Sequence, residues 1–198
     1  GQITLEAAQA IQMAISEVTD LRQLPSPSYQ FCQQSGYLRS FGAGIDESYY
    51  AYLLANRVNS GHPEWLADLR VVYTPLHGSG GRFVPEILAR AGCHQVRVVP
   101  EQARPDPFFS TVRMPNPENP DALMLAAKLA AETGAQLVLG TDPDSDRVGL
   151  LAPDDQGVMR PLSGNQIGLL LLEFILRNRF ELGRLPQRAF VVTTIVST

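Results

Sequence analysis

The chain has 198 residues, a formal net charge of −4 and an apolar fraction of 44%. The length allows one full domain, or one domain with attached pieces, and the apolar fraction is ample for a buried core. The acidic balance argues against a nucleic-acid partner, which would need a basic face. We expect a cytoplasmic protein without a membrane partner, because no signal peptide is visible and no apolar run could span a bilayer.

Two helices are predicted in the N-terminal part of the chain. The first covers residues 4–19 and is capped by Thr4. Residues 24–41 are polar and carry prolines, which predicts a connection. The second helix runs from Asp46 to about Asn59. The apolar face of the first helix is formed by Ala8, Ile11, Ile15 and Val18.

From residue 69 onward, strands and helices alternate. This alternation predicts the α/β class, with a mixed, largely parallel sheet flanked by helices. The predicted strands are 69–73, 96–99, 136–140 and 147–152, and the predicted helices are 82–91 and 119–134. The stretch from Pro100 to Pro120 has six prolines and no periodicity. Such a long loop is usually functional or peripheral.

A new unit is predicted after Gly157. Ser163 and Gln166 form a capping box ahead of a helix over 164–178. This helix is apolar nearly all round, so we expect it to be buried on most sides. A strand over 189–196 follows. A buried helix and strand with no later elements suggest that the chain is truncated, or that its missing half lies on another chain.

The most informative motif is Gly-Thr-Asp-Pro-Asp-Ser-Asp-Arg at 140–147. Asp142, Asp144 and Asp146 occupy alternate positions, so in an extended segment their side chains point the same way. Three convergent carboxylates repel one another unless a cation lies among them. Oxygen ligands suit a hard cation such as Mg²⁺, and the planar guanidinium of Arg147 suits phosphate. The motif therefore predicts a metal site that meets a phosphoryl group.

Other interpretations of the acidic motif are weaker. A solvated acidic turn is common, but the apolar runs on both sides place this loop at the carboxyl end of a strand, where α/β sheets bind ligands. An EF-hand would need Gly and Glu where Arg147 and Pro153 stand. Cys32 and Cys93 have no partners at zinc-site spacing, so free thiols are expected.

A glycine-rich segment, His77-Gly-Ser-Gly-Gly81, joins a predicted strand to a predicted helix. It fits either a tight structural turn or an anion cradle, and spacing alone does not separate the two. For His77 we expect a ring that is hydrogen-bonded to the backbone, rather than one that approaches a substrate.

Three motifs together resemble the α-D-phosphohexomutase family of phosphoglucomutases and phosphomannomutases. Thr141 to Arg147 resembles the family's metal-binding loop. Tyr73 to Gly80 is similar to the first strand and turn of its second domain, and Met114 to Glu118 is similar to the turn ahead of the metal loop. By this resemblance, residues 1–44 are the tail of the first domain and a linker, 45–158 the second domain, and 159–198 the start of the third.

The resemblance also implies functional roles. Asp142, Asp144 and Asp146 would bind Mg²⁺, and Arg147 would lie near the phosphoryl group. A full-length protein would interconvert hexose 1-phosphate and hexose 6-phosphate through a phosphoserine and a bisphosphorylated sugar. The expected partners are a hexose phosphate and the missing domains of the same parent chain. The family's phosphoserine, sugar-recognition and phosphate-binding loops are absent from this sequence, so we expect the chain alone to be inactive.

Two alternative functions remain. One is an autonomous, non-catalytic module that binds a divalent cation or phosphate. The other is an aspartate-nucleophile phosphatase, which is less favoured because it needs a lysine downstream of the motif. The single lysine, Lys128, lies upstream.

Overall fold

The computed structural model describes residues 3–58 and 64–194. The chain divides into two compact units, Gly1–Glu47 and Ser48–Thr198. No helix in the described ranges is long and apolar enough to cross a membrane.

The first unit is helical. Helix α1 covers Leu5–Ser16 and is capped by Thr4, whose hydroxyl accepts a hydrogen bond of 3.2 Å from the N–H of Ala7. The predicted helix and its cap are confirmed, although α1 contains no buried residue. A short helix α2, Tyr29–Gln34, lies where a connection was predicted. Its cap is Ser28, which accepts from the N–H of Phe31, and the polar composition of the segment hid this helix.

Helix α3 covers Ala43–Ala55, so the predicted second helix is present but begins and ends earlier. Asn59, its predicted end, and His62 lie outside the described residues. Within the second unit, Tyr50 is 4% exposed and packs against Phe83, and the guanidinium of Arg90 lies 4.3 Å from its ring centre. Tyr50 is therefore a packing residue.

The second unit contains a five-stranded sheet flanked by helices. In chain order its elements are α4 (Trp65–Asp68), β1 (Arg70–Thr74), α5 (Gly80–Arg90), β2 (Gln95–Val98), α6 (Met124–Thr133), β3 (Leu137–Thr141), β4 (Val148–Pro153), β5 (Met159–Leu162) and α7 (Gly164–Glu181). Short 3₁₀ turns cover Pro100–Gln102 and Pro120–Leu123. The predicted α/β class and mixed sheet are confirmed.

The strand order is β2-β1-β3-β4-β5. Strand β1 is parallel to both β2 and β3, whereas the β3–β4 and β4–β5 pairs are antiparallel. The parallel share is smaller than predicted because β5 adds an antiparallel pair. This strand is as short as β2 and, like β2, contains an arginine, but it was missed because it also contains a proline, Pro161.

The core lies between the sheet and α6. It is formed by Val72, Val99, Leu123, Ala126, Ala130, Val138 and Leu151. Asn119 caps the turn ahead of α6 by accepting from the N–H of Asp121, and Gly134 ends the helix with a φ of 63°. These predicted start and stop signals are confirmed. The core holds β1 and β3 side by side, so the loops at their carboxyl ends are neighbours.

Two predictions for the C-terminal segment are wrong. Helix α7 has its predicted capping box, but of its 18 residues only Ile167 is buried. Its apolar residues Leu169, Leu170, Leu171, Phe174 and Phe180 are exposed, because no described element covers them. Residues 189–194 form no strand, since no described segment pairs with them. The rest of that predicted strand, Ile195 and Val196, lies outside the described residues.

Candidate metal centre

Three carboxylates converge in the loop after β3. Asp142 follows the strand directly and is fully buried, whereas Asp144 and Asp146 are exposed. One carboxylate oxygen from each residue lies within 4.8 Å of the other two. The structure therefore brings together the three aspartates that the sequence analysis selected.

The acids converge through a turn rather than through an extended segment. The N–H of Ser145 donates to the carbonyl of Asp142 at 3.0 Å, and Ser145 has a φ of +64°. This left-handed residue reverses the chain between Asp144 and Asp146. The prediction of convergence is met, but its stated geometrical reason, an extended strand end, is wrong.

Arg147 is tied to the buried carboxylate. Its backbone N–H donates to Oδ1 of Asp142 at 3.0 Å, and its Nε donates to Oδ2 at 2.8 Å. Burial alone would raise the pKa of Asp142, but the two hydrogen bonds from Arg147, a hydrogen bond with Asp144 and the positive charge of Arg147 together lower it. Asp142 is therefore ionised although it is buried.

The two exposed acids repel each other. The negative charge of Asp144 is the largest of several effects that raise the pKa of Asp146. In a cluster of anions, a bound cation relieves this repulsion.

The donor set fits a hard divalent cation. All three donors are carboxylate oxygens, which suit Mg²⁺ or Ca²⁺. In octahedral coordination by Mg²⁺, adjacent oxygen ligands lie about 3 Å apart and opposite ones about 4.2 Å apart. The three carboxylate oxygens, which lie within 4.8 Å of one another, would close to these distances around the ion. Asp144 and Asp146 lie on an exposed loop, which allows this movement.

The glycine-rich turn packs directly on the acidic loop. A Cβ atom at Gly78 would lie 2.3 Å from the Cα of Pro143, so only glycine fits there. The N–H of Ser79 donates to the carbonyl of Pro143 at 2.8 Å, and its hydroxyl donates to the same oxygen at 3.2 Å. The glycines at 78–81 are therefore explained by packing, which favours the structural turn over the anion cradle.

A second contact joins β1 to β3 below the loop. The hydroxyls of Tyr73 and Thr141 lie 2.8 Å apart in the interior. Burial raises the pKa of Tyr73 to about 12. A Cβ atom at Gly80 would lie 2.3 Å from this tyrosine oxygen. Tyr73 is therefore a neutral hydrogen-bonding group that fixes the end of β3, immediately before Asp142.

The ring of His77 is hydrogen-bonded at both nitrogens, and only 6% of the residue is exposed. Nδ1 lies 3.0 Å from the carbonyl oxygen of Arg104, and Nε2 lies 2.8 Å from the hydroxyl of Thr111. The predicted contact with the backbone is confirmed.

The turn at Met114 to Glu118 lies over two paired glycines. Gly140 of β3 stands opposite Gly149 of β4. A Cβ atom at Gly149 would lie 2.1 Å from the carbonyl oxygen of Pro117, whereas one at Gly140 would lie 2.5 Å from Cδ2 of Leu123 and only in ordinary contact with Pro117. Gly149 thus makes room for this proline-rich turn beside the acidic loop, and Gly140 makes room for a core leucine.

Sequence reasoning missed three polar residues around the site. Ser79 supports Pro143, while Gln102 and Thr111 join the hydrogen bonds of His77. The position of Ser79 between two constrained glycines could have indicated a close approach. Gln102 and Thr111 lie in the irregular 100–120 segment, where no periodic pattern predicts which way a side chain points.

The comparisons with known proteins agree on one family. A family model described as phosphoglucomutase/phosphomannomutase, alpha/beta/alpha domain II, matches residues 47–156. The phosphoglucomutases of Staphylococcus aureus strains MRSA252 and USA300 are each 33% identical over 198 residues, all of this chain and 34% of theirs. The chain thus spans about a third of the length of the curated relatives it matches.

Two solved structures share the fold. A putative phosphomannomutase from Thermus thermophilus has a TM-score of 0.59 and 23% identity, over 88% of this chain and 35% of that one. A phosphoglucomutase/phosphomannomutase family protein from Burkholderia thailandensis has a TM-score of 0.53 and 18% identity, over 68% of this chain and 26% of that one.

Proposed function

This chain belongs to the phosphoglucomutase/phosphomannomutase family, and from that premise we propose that it supplies the metal-binding part of a phosphohexomutase. The proposed reaction interconverts hexose 1-phosphate and hexose 6-phosphate, with glucose or mannose as the sugar. The observation that carries the proposal is the convergence of three carboxylates, inside the segment that the family model matches.

Asp142, Asp144 and Asp146 would hold Mg²⁺ through one oxygen each. When bound, Mg²⁺ neutralises the charge of a phosphoryl group during transfer. Asp142 is suited to this role because Arg147 keeps it ionised and oriented. Asp144 and Asp146 are suited because they are exposed and can approach a cation from solvent.

Arg147 would orient the phosphoryl group beside the metal. Among the described residues, its ion-pair partners are Asp142 and Asp146, and both pairs involve Nε, at 2.8 Å and 3.7 Å. The two terminal NH₂ groups thus remain for a phosphate, with which guanidinium forms strong charge-assisted hydrogen bonds. The side chain is 51% exposed, which leaves it accessible to a substrate.

The remainder of the reaction needs groups that this sequence does not contain. We propose that the phosphoryl group is exchanged with a phosphoserine through a bisphosphorylated sugar, in further domains of the same parent chain. In this proposal residues 1–44 are the tail of a first domain and a linker, 45–158 the second domain and 159–198 the start of the third. We propose a cytoplasmic location for this enzyme.

The test is an assay of the complete reading frame that contains residues 1–198. We expect Mg²⁺-dependent conversion of glucose 1-phosphate or mannose 1-phosphate to the 6-phosphate. In that protein, Asp144→Asn should lower kcat/KM by about a hundredfold or more, since metal stabilisation of the transition state contributes several kcal/mol. Lack of conversion of either sugar would contradict the proposal and favour a non-catalytic module.

A matched control is available in the turn between β4 and β5. Asp155→Asn removes the same charge from an exposed residue outside the acidic cluster. We expect this variant to keep its activity. Equal losses in the two variants would show that net charge, rather than a metal ligand, explains the effect of Asp144→Asn.

A further inference from the structure

We propose that His77 is a positioning residue for the acidic loop. Its ring, fixed at both nitrogens, holds the turn at residues 76–79 in a strained conformation, and that turn supports Pro143 between Asp142 and Asp144. In this proposal the ring keeps the acidic loop ordered and thereby sustains its affinity for a metal ion. The effect on metal affinity rests on the proposed function, whereas the effect on loop order does not.

The ring is fixed by two partners from a distant loop. The carbonyl oxygen of Arg104 can only accept, so Nδ1 of His77 carries the proton and donates. In the neutral ring, Nε2 then accepts from the hydroxyl of Thr111 at 2.8 Å. With both nitrogens used and 6% of the residue exposed, the side chain has no free group for a substrate.

Thr111 is itself held by a chain of hydrogen bonds that returns to β1. The Nε2 of Gln102 donates to the hydroxyl of Thr111 at 3.1 Å, and Gln102 is 1% exposed. The hydroxyl of Thr74 donates to Oε1 of Gln102 at 2.6 Å, and the N–H of Leu76 donates to Thr74 at 3.1 Å. The donor and acceptor roles in these hydrogen bonds are compatible with one another. We call this chain of hydrogen bonds, from His77 through Thr111 and Gln102 to Thr74, the clamp. It begins at the carboxyl end of β1.

The backbone at His77 needs such a clamp. Leu76 and His77 have φ values of +47° and +65°, a region that side-chain-bearing residues rarely adopt. Strained residues of this kind persist only where the surroundings impose them. Here Leu76 is fully buried, and the N–H of His77 also donates to the carbonyl of Gln102 at 3.0 Å.

The next two residues transmit this conformation to the acidic loop. Gly78 lies against the backbone of Pro143 with no room for a Cβ atom. Ser79 donates two hydrogen bonds to the carbonyl of Pro143, from its N–H and from its hydroxyl. Because Pro143 separates Asp142 from Asp144, relaxation of the turn would change the spacing of these two carboxylates.

The test alters the clamp from its distant end. Thr111→Val removes the hydroxyl that bonds to His77 and changes no residue of the turn or of the acidic loop. Thr111→Ser keeps the hydroxyl and is the matched rescue variant. A further variant, His77→Asn, retains a side chain that tolerates positive φ and can donate to Arg104, but lacks the second ring nitrogen.

Two quantities are measured on the 198-residue chain. The first is hydrogen exchange at the amides of Ser79 and Ser145 without metal, since these amides donate to Pro143 and Asp142. The second is the affinity for Mn²⁺ alone, followed by electron paramagnetic resonance. Thermal unfolding is recorded in parallel, so that a general loss of stability is recognised.

For Thr111→Val and His77→Asn we expect exchange at both amides about three- to tenfold faster, the effect of one lost hydrogen bond on local opening. We expect Mn²⁺ affinity to fall about tenfold, as for residues that orient ligands, and Thr111→Ser to restore both values. Unchanged exchange at these amides, or equal changes in the Ser and Val variants, would overturn the proposal. If the parent chain binds no Mn²⁺, the proposed metal site fails, and the exchange data still decide the positioning role.

Discussion

At the scale of single residues, the position of the acidic loop depends on close contacts and hydrogen bonds at Asp142 and Pro143. Asp142 is ionised in the interior because Arg147 donates to both of its oxygens. Pro143 is held by Ser79 and closely approached by Gly78. The position of the carboxylates is thus set by backbone contacts as much as by the acids themselves.

Gly78→Ala should displace the acidic loop. The added Cβ would overlap backbone atoms of Pro143, at 2.3 Å from its Cα, and backbone cannot move aside as a flexible side chain can. We expect the free energy of unfolding to fall by about 1–3 kcal/mol, the usual cost of overpacking. Denaturant unfolding monitored by circular dichroism measures this change.

Gly168→Ala is the matched control. Gly168 lies inside α7, where an added Cβ would meet nothing within 4 Å. Alanine in a helix interior is more stable than glycine by about 0.5–1 kcal/mol, so this variant should be slightly stabilised. Equal stability of Gly78→Ala and the parent chain would show that the packing of the two loops is looser than described.

At the scale of elements, the loop that contains Thr111 is ordered by a carboxylate. Hydrogen bonds from Ser110, and one from the N–H of Phe108, lower the pKa of Asp106 from 3.8 to about 2. The folded-state pKa is below the unfolded one, so this contribution to stability is complete above about pH 4. It is lost as the pH falls through about 2.

We therefore expect the amide signals of Phe108 and Ser110 to titrate together with a midpoint near pH 2. The measurement is an NMR titration of the amide shifts, with Asp106→Asn as the control that abolishes the transition. A midpoint at or above 3.8, the ordinary pKa of an aspartate, would mean that these amides do not donate hydrogen bonds to Asp106 in solution.

Elements with strong local signals could be predicted from the sequence. The capping box of Ser163 and Gln166 located α7, and Asn119 and Gly134 bounded the segment that contains α6. The first four strands of the sheet, β1 to β4, were found from their apolar runs. The three aspartates of the loop were selected correctly as a cluster from their position at a strand end, although they converge through a turn and not through alternation in an extended segment.

Other features depend on contacts that sequence does not encode locally. Strand β5 exists because β4 offers it an edge, although Arg160 and Pro161 are poor strand residues. The exposure of α7 reflects the lack of a described neighbour rather than its own composition. The link from Thr111 through His77 to Ser79 joins residues more than 30 positions apart, so no spacing rule could reveal it.

At the scale of the whole molecule, the chain spans 34% of the length of its phosphoglucomutase relatives. In our proposal the carboxylates lie in this chain, whereas the serine that carries the phosphoryl group lies elsewhere. The purified 198-residue chain should therefore show no conversion of glucose 1-phosphate in a coupled assay with Mg²⁺ present. Detectable turnover would show that the proposed division of roles is wrong.

The central claim is that Asp142, Asp144 and Asp146 together bind one divalent cation. The most direct test is a titration of the chain with Mn²⁺, followed by electron paramagnetic resonance, for the parent, Asp144→Asn and Asp155→Asn. We predict one site in the parent, an affinity about tenfold or more lower in Asp144→Asn because a charged ligand is lost, and no change in Asp155→Asn. Equal affinities of all three proteins, or no binding by the parent, would contradict the claim.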